Sequence, residues 1–307
     1  MAPAEVLDLL RCPVCRLPFT EDGGGVRCRA GHRFDRARQG YLNLLGTRPP
    51  RHADTPAMVA ARERFLGGGG YRPVTVALAD AVRAGLGALR AAPPTLPTVL
   101  EVGAGTGYHT ATLLDALGGR GVALDIAVPA ARRAAHAHPR LAAVVADGWG
   151  PLPLVDGGFD VLTSIFAPRN PTEFARVLRP TGVLAVVTPE PDHLQELREP
   201  LGLLDVEADK QERLRSTLAE GFRLLERRVT RYRVAWSASV VLDLVGMGPN
   251  AFHVGADALA ERVGRLPEPV DVTVAVAVTT WARTGASPAG AGAEPPRSAA
   301  GTPGGGP

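Results

Sequence analysis

Between residues 99 and 282 short apolar runs alternate with stretches whose apolar positions recur every three or four residues. An unbroken or alternating apolar run marks a strand, and the wider spacing marks a helix with one buried face. VLEVG (99–103) is followed by HTATLLDAL (109–117), GVALD (121–125) by AARRAAHAH (130–138), and LAAVVAD (141–147) leads to FDVLTSIFA (159–167). PTEFARVL (171–178), GVLAVVTP (182–189) and HLQELREPLGL (193–203) continue the alternation. Strand and helix at this spacing predict a doubly wound parallel α/β sheet. Two later β-rich runs, RRVTRYRVAW (227–236) and VDVTVAVAVTTWA (270–282), are predicted to close one sheet edge as an antiparallel pair, with helices over SVVLDLVGM (239–247) and DALAERVGRL (257–266) between them.

Upstream, helical spacing runs through Met58–Leu66 and Val74–Leu89 between the polar linker TRPPRHADTP (47–56) and the breaker APPTLP (92–97). Four regions result: a Cys-, Arg- and Gly-rich module over 1–46, a linker and helical bridge over 47–98, the α/β domain over 99–284, and a tail over 285–307. In that tail 18 of 23 residues are Gly, Pro or Ala, too little apolar surface to order itself, and disorder is expected there.

Composition narrows the class. The chain has 307 residues, 45% hydrophobic and 21% charged, which excludes collagen-like, coiled-coil and wholly disordered chains. No apolar run approaches the roughly 18 residues that span a bilayer, and the N-terminus lacks a leader-like basic start and apolar stretch, so no membrane association and a cytoplasmic location are expected. The net charge of +3 is mild, but residues 1–52 carry nine Arg against five acids, so the positive excess lies in the N-terminal module.

All three cysteines lie in that module. Cys12 and Cys15, then Cys28 and His32, give C-x2-C-x12-C-x3-H. Two thiolates at x2 spacing grip a tetrahedral ion, and the second pair closes the shell from a hairpin turning at Asp22–Gly25. Four protein ligands leave no open position, so the implied Zn2+ is structural and holds a module too small for its own core. Around the ligands stand Arg27, Arg29, Arg33, Arg36 and Arg38, with Phe34 and Tyr41 interleaved. Guanidinium groups suit RNA phosphates. The aromatics either stack on unpaired bases or form the small core of the finger, and the core is the reading adopted.

The run Glu101-Val102-Gly103-Ala104-Gly105-Thr106-Gly107 reads as a strand entering a tight turn and then a helix. Glycines let the backbone pass close beneath a ligand, and Asp125, at the next strand end, is placed for two ribose hydroxyls. The dinucleotide pattern has no use for a carboxylate such as Glu101 beside a pyrophosphate, whereas a carboxylate there holds a cationic amino group. That points to S-adenosylmethionine, with Asp147 at the third strand end suited to the adenine amino group.

With these motifs in hand, the chain resembles the large-subunit (23S) ribosomal RNA guanine-N1-methyltransferases, most closely their macrolide-resistance branch from antibiotic-producing actinomycetes. The segments that carry the resemblance are CPVC…CRAGHRFDRARQGYLNLL, DTPAMVAARERFL…GYRPV, EVGAGTGYH, IFAPRN and VVTPEPDHLQEL, within about residues 7–282. The resemblance implies a Rossmann-like S-adenosylmethionine-dependent domain, an N-terminal zinc finger, and methylation of a guanine in a 23S rRNA hairpin lining the exit tunnel, where tylosin-type drugs bind. Carried over by position, it implies Cys12, Cys15, Cys28 and His32 as metal ligands, and Tyr71, Gly103, Gly105, Thr106, Gly107, Asp125 and His193 around the donor. The chain departs from the family's Met-Thr-Pro segment near the substrate end, reading Met247-Gly248-Pro249 instead.

Guanine N1 lies on the Watson–Crick edge and carries a proton, so the base must be unpaired and presented in line with the methyl group. The segment after the fourth strand of the α/β domain should face the crevice at the carboxyl ends of the strands, where Phe166 could stack on guanine and Arg169 or Asn170 could contact O6 or the backbone. No general base is assigned. Two other functions fit parts of the pattern: a small-molecule methyltransferase of antibiotic biosynthesis, which needs no Arg-rich finger, and a non-catalytic ribosome-binding zinc protein. A homodimer is left open.

Overall fold

The structure, a computed structural model, describes residues 3–45, 53–90, 96–167, 169–203, 210–248 and 255–284. The expected tail at 285–307 lies outside them. A 3-10 turn at Pro3–Leu9 leads to a small antiparallel sheet of β1 (Phe19–Asp22), β2 (Gly25–Cys28) and β3 (Arg33–Asp35), with Asp22 pairing Gly25 across the hairpin turn. Then come β4 (Leu42–Asn43), α1 (Pro56–Gly67), α2 (Arg72–Leu89), β5 (Thr98–Val102), α3 (Tyr108–Leu117), β6 (Arg120–Asp125), α4 (Val128–Ala137) and β7 (Leu141–Val145). The chain continues through β8 (Phe159–Ile165), α5 (Pro171–Val177), β9 (Leu178–Pro189), α6 (Gln195–Leu201), α7 (Lys210–Ala219), β10 (Phe222–Trp236), α8 (Ala238–Gly246), α9 (Ala256–Val263) and β11 (Val270–Arg283).

The large sheet has the order β10-β11-β9-β8-β5-β6-β7-β4. Strands β4 to β9 run parallel, and β11 and β10 close the far edge antiparallel, as the two late β-rich runs predict. Central strands are buried along their whole length, which is why they read as largely apolar runs rather than alternating ones, with the buried polar residues Glu101, Asp160, Thr163 and Ser164 among them. The edge strand β10 instead exposes alternate residues and carries five Arg, which discourages pairing with another chain. Helix α2 buries Val74, Leu78, Val82, Leu86 and Leu89 on one face, against β9 and β11. The stretch read as a helical bridge is thus part of the sheet's own covering layer.

The N-terminal module also differs from a free finger. Leu42 and Asn43 pair with Val144 and Val145 as the outer parallel strand of the large sheet. Arg11 N–H donates to the Pro153 carbonyl at 2.8 Å, and Val6, Leu9, Leu10, Phe19 and Val26 share one core with Leu100, Leu124, Val144 and Leu184. A module with little apolar surface of its own gains burial by docking on the neighbouring domain. Phe34 meets Phe19 edge-on at 5.6 Å and Tyr41 is buried, so both aromatics are core. Among the described residues no helix is long and apolar enough to cross a membrane.

Candidate metal centre and donor crevice

The four metal-ligand candidates converge. Their ligand atoms lie within 4.8 Å of one another, with Cys15 Sγ to Cys28 Sγ 3.5 Å, Cys28 Sγ to His32 Nδ1 3.4 Å and Cys12 Sγ to His32 Nδ1 3.6 Å. A tetrahedron with Zn–S arms of about 2.3 Å has edges of about 3.8 Å, so the donor set and its size suit zinc. Local backbone explains the convergence. Arg16, at φ 64°, turns the chain after the first pair and donates its N–H to the Cys12 carbonyl at 2.8 Å; Gly31 N–H does the same for Cys28 at 2.9 Å.

Glu101, Gly103, Asp125, Asp147, Phe166 and His193 lie on or just after the carboxyl ends of β5, β6, β7, β8 and β9, so parallel strands deliver them to one edge of the sheet. This is the edge at which open α/β sheets bind ligands, beside the β5–β8 switch point. Gly103, Gly105 and Gly107 all have positive φ, at 73°, 56° and 77°, which only glycine adopts without strain. Gly105 N–H donates to Asp125 Oδ2 at 2.7 Å, and Ala127 N–H to its Oδ1 at 2.8 Å. Asp125 therefore ties the glycine turn to the next helix, and a ribose diol would use its remaining lone pairs. Burial raises its carboxyl above the ordinary value. Glu101 is fully buried and accepts from the Thr110 hydroxyl; burial pushes it up to about 8, against the opposing hydrogen bonds from Thr110. Burial disfavours its charged form, which a neighbouring cation would favour. The cradle and its acid fit the sulfonium donor's methionine end. Thr106 is buried beside the turn.

Tyr71 and His193 form a second group with Phe166. Tyr71 Oη lies 3.2 Å from His193 Nε2, the Phe166 ring stacks on the His193 ring at 6.0 Å, and Tyr71 and Phe166 are 5.8 Å apart. Phe166 is 42% exposed and holds φ 51°, a strained conformation for a bulky residue that is found at ligand sites more than elsewhere. Its ring is thus partly open to solvent just beyond the carboxyl end of β8.

Two expectations shift, those for Asn170 and for the finger arginines. Asn170 caps α5 by accepting from Glu173 N–H at 3.3 Å, while its amide donates to the carbonyls of Trp149 and Gly150 at 2.9 and 3.1 Å. The side chain expected to meet the base is thus spent on loop structure. Asp147 accepts from Trp149 N–H at 2.9 Å through Oδ1, the same kind of turn that Asp125 makes with Ala127, and this bond uses one of its two carboxylate oxygens. Arg27 and Arg33 both pair with Asp22, at 2.7 and 2.9 Å, and Arg36 pairs with Glu21 at 3.1 Å, so three of the five finger arginines are balanced by their own hairpin. Arg29 and Arg38 are exposed with no ion pair among the described residues. Arg169 is half-buried, its Nε finds no hydrogen-bond partner, and burial lowers its pKa.

Two residues escaped the sequence reading. Trp149 is 67% exposed on the loop that Asn170 ties down, and the signal was an aromatic just beyond a strand end. Arg62 of α1 reaches over the glycine turn; nothing in AARERF (60–65) distinguishes it from a surface arginine.

Residues 10–49 match the family model described as RlmA, N-terminal, a zinc ribbon, and residues 99–182 match the model described as Methyltransferase domain. The chain is 47% identical over 291 residues to "Putative 23S rRNA (guanine-N(1)-)-methyltransferase" of Micromonospora griseorubida, covering 90% of this chain and 98% of that protein. It is 44% identical over 275 residues to the 23S rRNA (guanine(748)-N(1))-methyltransferase of Streptomyces fradiae, covering 89% and 96%. A Bacillus subtilis strain 168 relative of the same described class is 33% identical over 201 residues, covering 62% and 68%.

Proposed function

The chain belongs to the 23S rRNA (guanine-N1)-methyltransferases, with a Rossmann-like methyltransferase domain and an N-terminal zinc ribbon, and on that premise we propose that it methylates N1 of a guanine in the exit-tunnel hairpin of 23S rRNA and so confers macrolide resistance. The observation that carries the reading is similarity over 98% of a relative's length, which takes in the zinc module and the donor domain together. The Streptomyces fradiae relative acts, by its name, on guanine 748, and the same nucleotide is the first to examine here.

S-adenosylmethionine, when bound, supplies an electrophilic methyl group on a sulfonium. The protein's own residues hold that donor, present the base and exclude alternatives. Glu101, Gly103, Gly105, Thr106, Gly107 and Asp125 line the donor's methionine and ribose ends, and Tyr71 and His193 wall the reacting side. Phe166 offers a stacking face for an unpaired guanine. Arg169, a cation whose Nε has no hydrogen-bond partner, follows Phe166 on the same loop, and its charge would offset negative charge on O6 as N1 takes the methyl group in exchange for the broken S–CH3 bond and gives up its proton to water. Cys12, Cys15, Cys28 and His32 hold a structural zinc that keeps the N-terminal module docked. Arg29 and Arg38 meet RNA phosphates. The site of action is the cytoplasm, where ribosomes are.

Labelled donor incubated with deproteinised large-subunit RNA and, separately, with candidate macrolides tests this. Label in RNA, a primer-extension stop at one guanine, and a raised inhibitory concentration of tylosin-type drugs in cells carrying the gene are the expected results. Label only in the small molecule would overturn the RNA reading, and label in neither would overturn the enzyme. Light scattering of the same preparation reads the homodimer left open by the sequence.

A further inference from the structure

We propose that Arg62 receives the α-carboxylate of the donor's methionine end, directly above Gly105; the inference rests on the donor reading given above. A Cβ built on Gly105 would lie 3.1 Å from both Cδ and Nη1 of Arg62, so the guanidinium stem roofs the glycine turn. The same guanidinium is anchored from two sides. Nη1 donates to the Asp54 carboxylate just before α1, and Nη2 donates to the Met247 carbonyl at the end of α8, at 2.8 Å. Its side chain is 22% exposed, partly withdrawn from water.

A guanidinium has five N–H groups, and these two bonds leave others to donate. Its planar fork matches a carboxylate with two parallel bonds. The methionine end of the donor is a zwitterion, and the turn offers both counter-charges: the acid Glu101 on the strand beneath and the cation Arg62 on the helix above. A dinucleotide would find the same acid repulsive to its phosphates. Arg62 is also tied to Met247, so one residue touches the donor turn and the end of α8.

The test uses S-adenosylhomocysteine and its decarboxylated counterpart, 5′-deoxy-5′-(3-aminopropylthio)adenosine, titrated calorimetrically into the intact protein and its Arg62→Gln and Arg62→Lys variants, with melting temperature as the fold control. The intact protein should prefer the carboxylated ligand by about tenfold or more, the increment of one charge-assisted bidentate contact. In Arg62→Gln the two ligands should bind alike, at the level of the decarboxylated one, and Arg62→Lys should keep part of the preference because charge remains while the fork is lost. Equal binding of both ligands by the intact protein would overturn the proposal without any variant. A substitution that weakens both ligands by the same factor, or neither, would also overturn it and leave Arg62 as a tie between α1, Asp54 and Met247. An intact protein that binds neither ligand overturns the donor reading itself, and this inference with it.

Discussion

His193 donates its Nε2–H to the phenolic oxygen of Tyr71, across 3.2 Å and 122 positions of chain. The direction follows from the other ring nitrogen. Ala275 N–H on β11 donates to His193 Nδ1 at 3.2 Å, so Nδ1 carries no proton and the neutral ring must carry it on Nε2. Tyr71 therefore acts as acceptor, and its own O–H has no acceptor among the described residues. Burial raises the pKa of that hydroxyl, so it stays protonated.

Replacing Tyr71 with Phe should remove the hydrogen bond between the two side chains. The expected cost is about 0.5–1.5 kcal/mol of stability, together with weaker donor binding. Thermal melting and calorimetry read both, and an unchanged melting temperature would show that His193 has another acceptor.

Glu101 makes donor binding depend on pH. With its carboxyl pushed up to about 8 by burial, it is mostly protonated at neutral pH, and the donor's ammonium favours the ionised form. Binding at pH 7 should release a proton, and affinity should rise with pH and level off above about 8. Calorimetry in two buffers of different ionisation enthalpy counts the proton. Glu101→Gln should bind weakly at every pH. Linkage also fixes the sign for folding. The folded state holds this proton between the ordinary value of 4.5 and about 8, so stability from this group falls as pH rises through that window, and the variant should lose that slope.

Gly105→Val should abolish donor binding while circular dichroism stays native. The position has φ 56° and a Cβ there meets Arg62 at 3.1 Å, so both backbone and neighbour must shift. Unchanged affinity would mean the turn serves only to join strand to helix.

Cys15→Ser should release zinc and stop RNA methylation while donor binding persists. Because the N-terminal module shares a core with the large sheet, melting should remain one transition at lower temperature, by roughly 2–4 °C for each kcal/mol of destabilisation. A separate early transition, with the main one unmoved, would show that the module folds independently.

The two finger arginines without ion pairs should dominate the grip on RNA. Neutralising Arg29 and Arg38 together should flatten the log–log salt dependence by roughly 0.7–0.9 for each phosphate left without its cation, for every RNA sequence, with donor affinity unmoved. Neutralising Arg27 and Arg33, which share Asp22, should change the slope much less. Equal changes from the two pairs would show that the Asp22 pairing dissolves on RNA.

Much of this was legible from local pattern. A strand or helix is recognised by which neighbours within a few residues are apolar, so the parallel strands, the late antiparallel pair and the helices over 239–247 and 257–266 could be read directly. The zinc ligands were legible because each pair lies within one short turn and the chemistry admits few residue types. Other features depend on how distant segments meet. Leu42–Asn43 is two residues long and has no periodicity, and only the open edge of β7 makes it a strand. Charge counting located the cations of the N-terminal module but could not tell that Asp22 and Glu21 stand opposite three of them, because that depends on hairpin register. Asn170 looked like a base contact until the loop at Trp149 came within reach of its amide. Tyr71, Arg62 and His193 acquire their partners only through topology: α1 and the turn after it cross the carboxyl edge of the sheet, where strands far apart in sequence end side by side. Sequence by itself determined the elements and the chemistry each carries, since these rest on neighbours a few residues away; tertiary structure decided which of those groups face one another, since that is set by sheet order and docking.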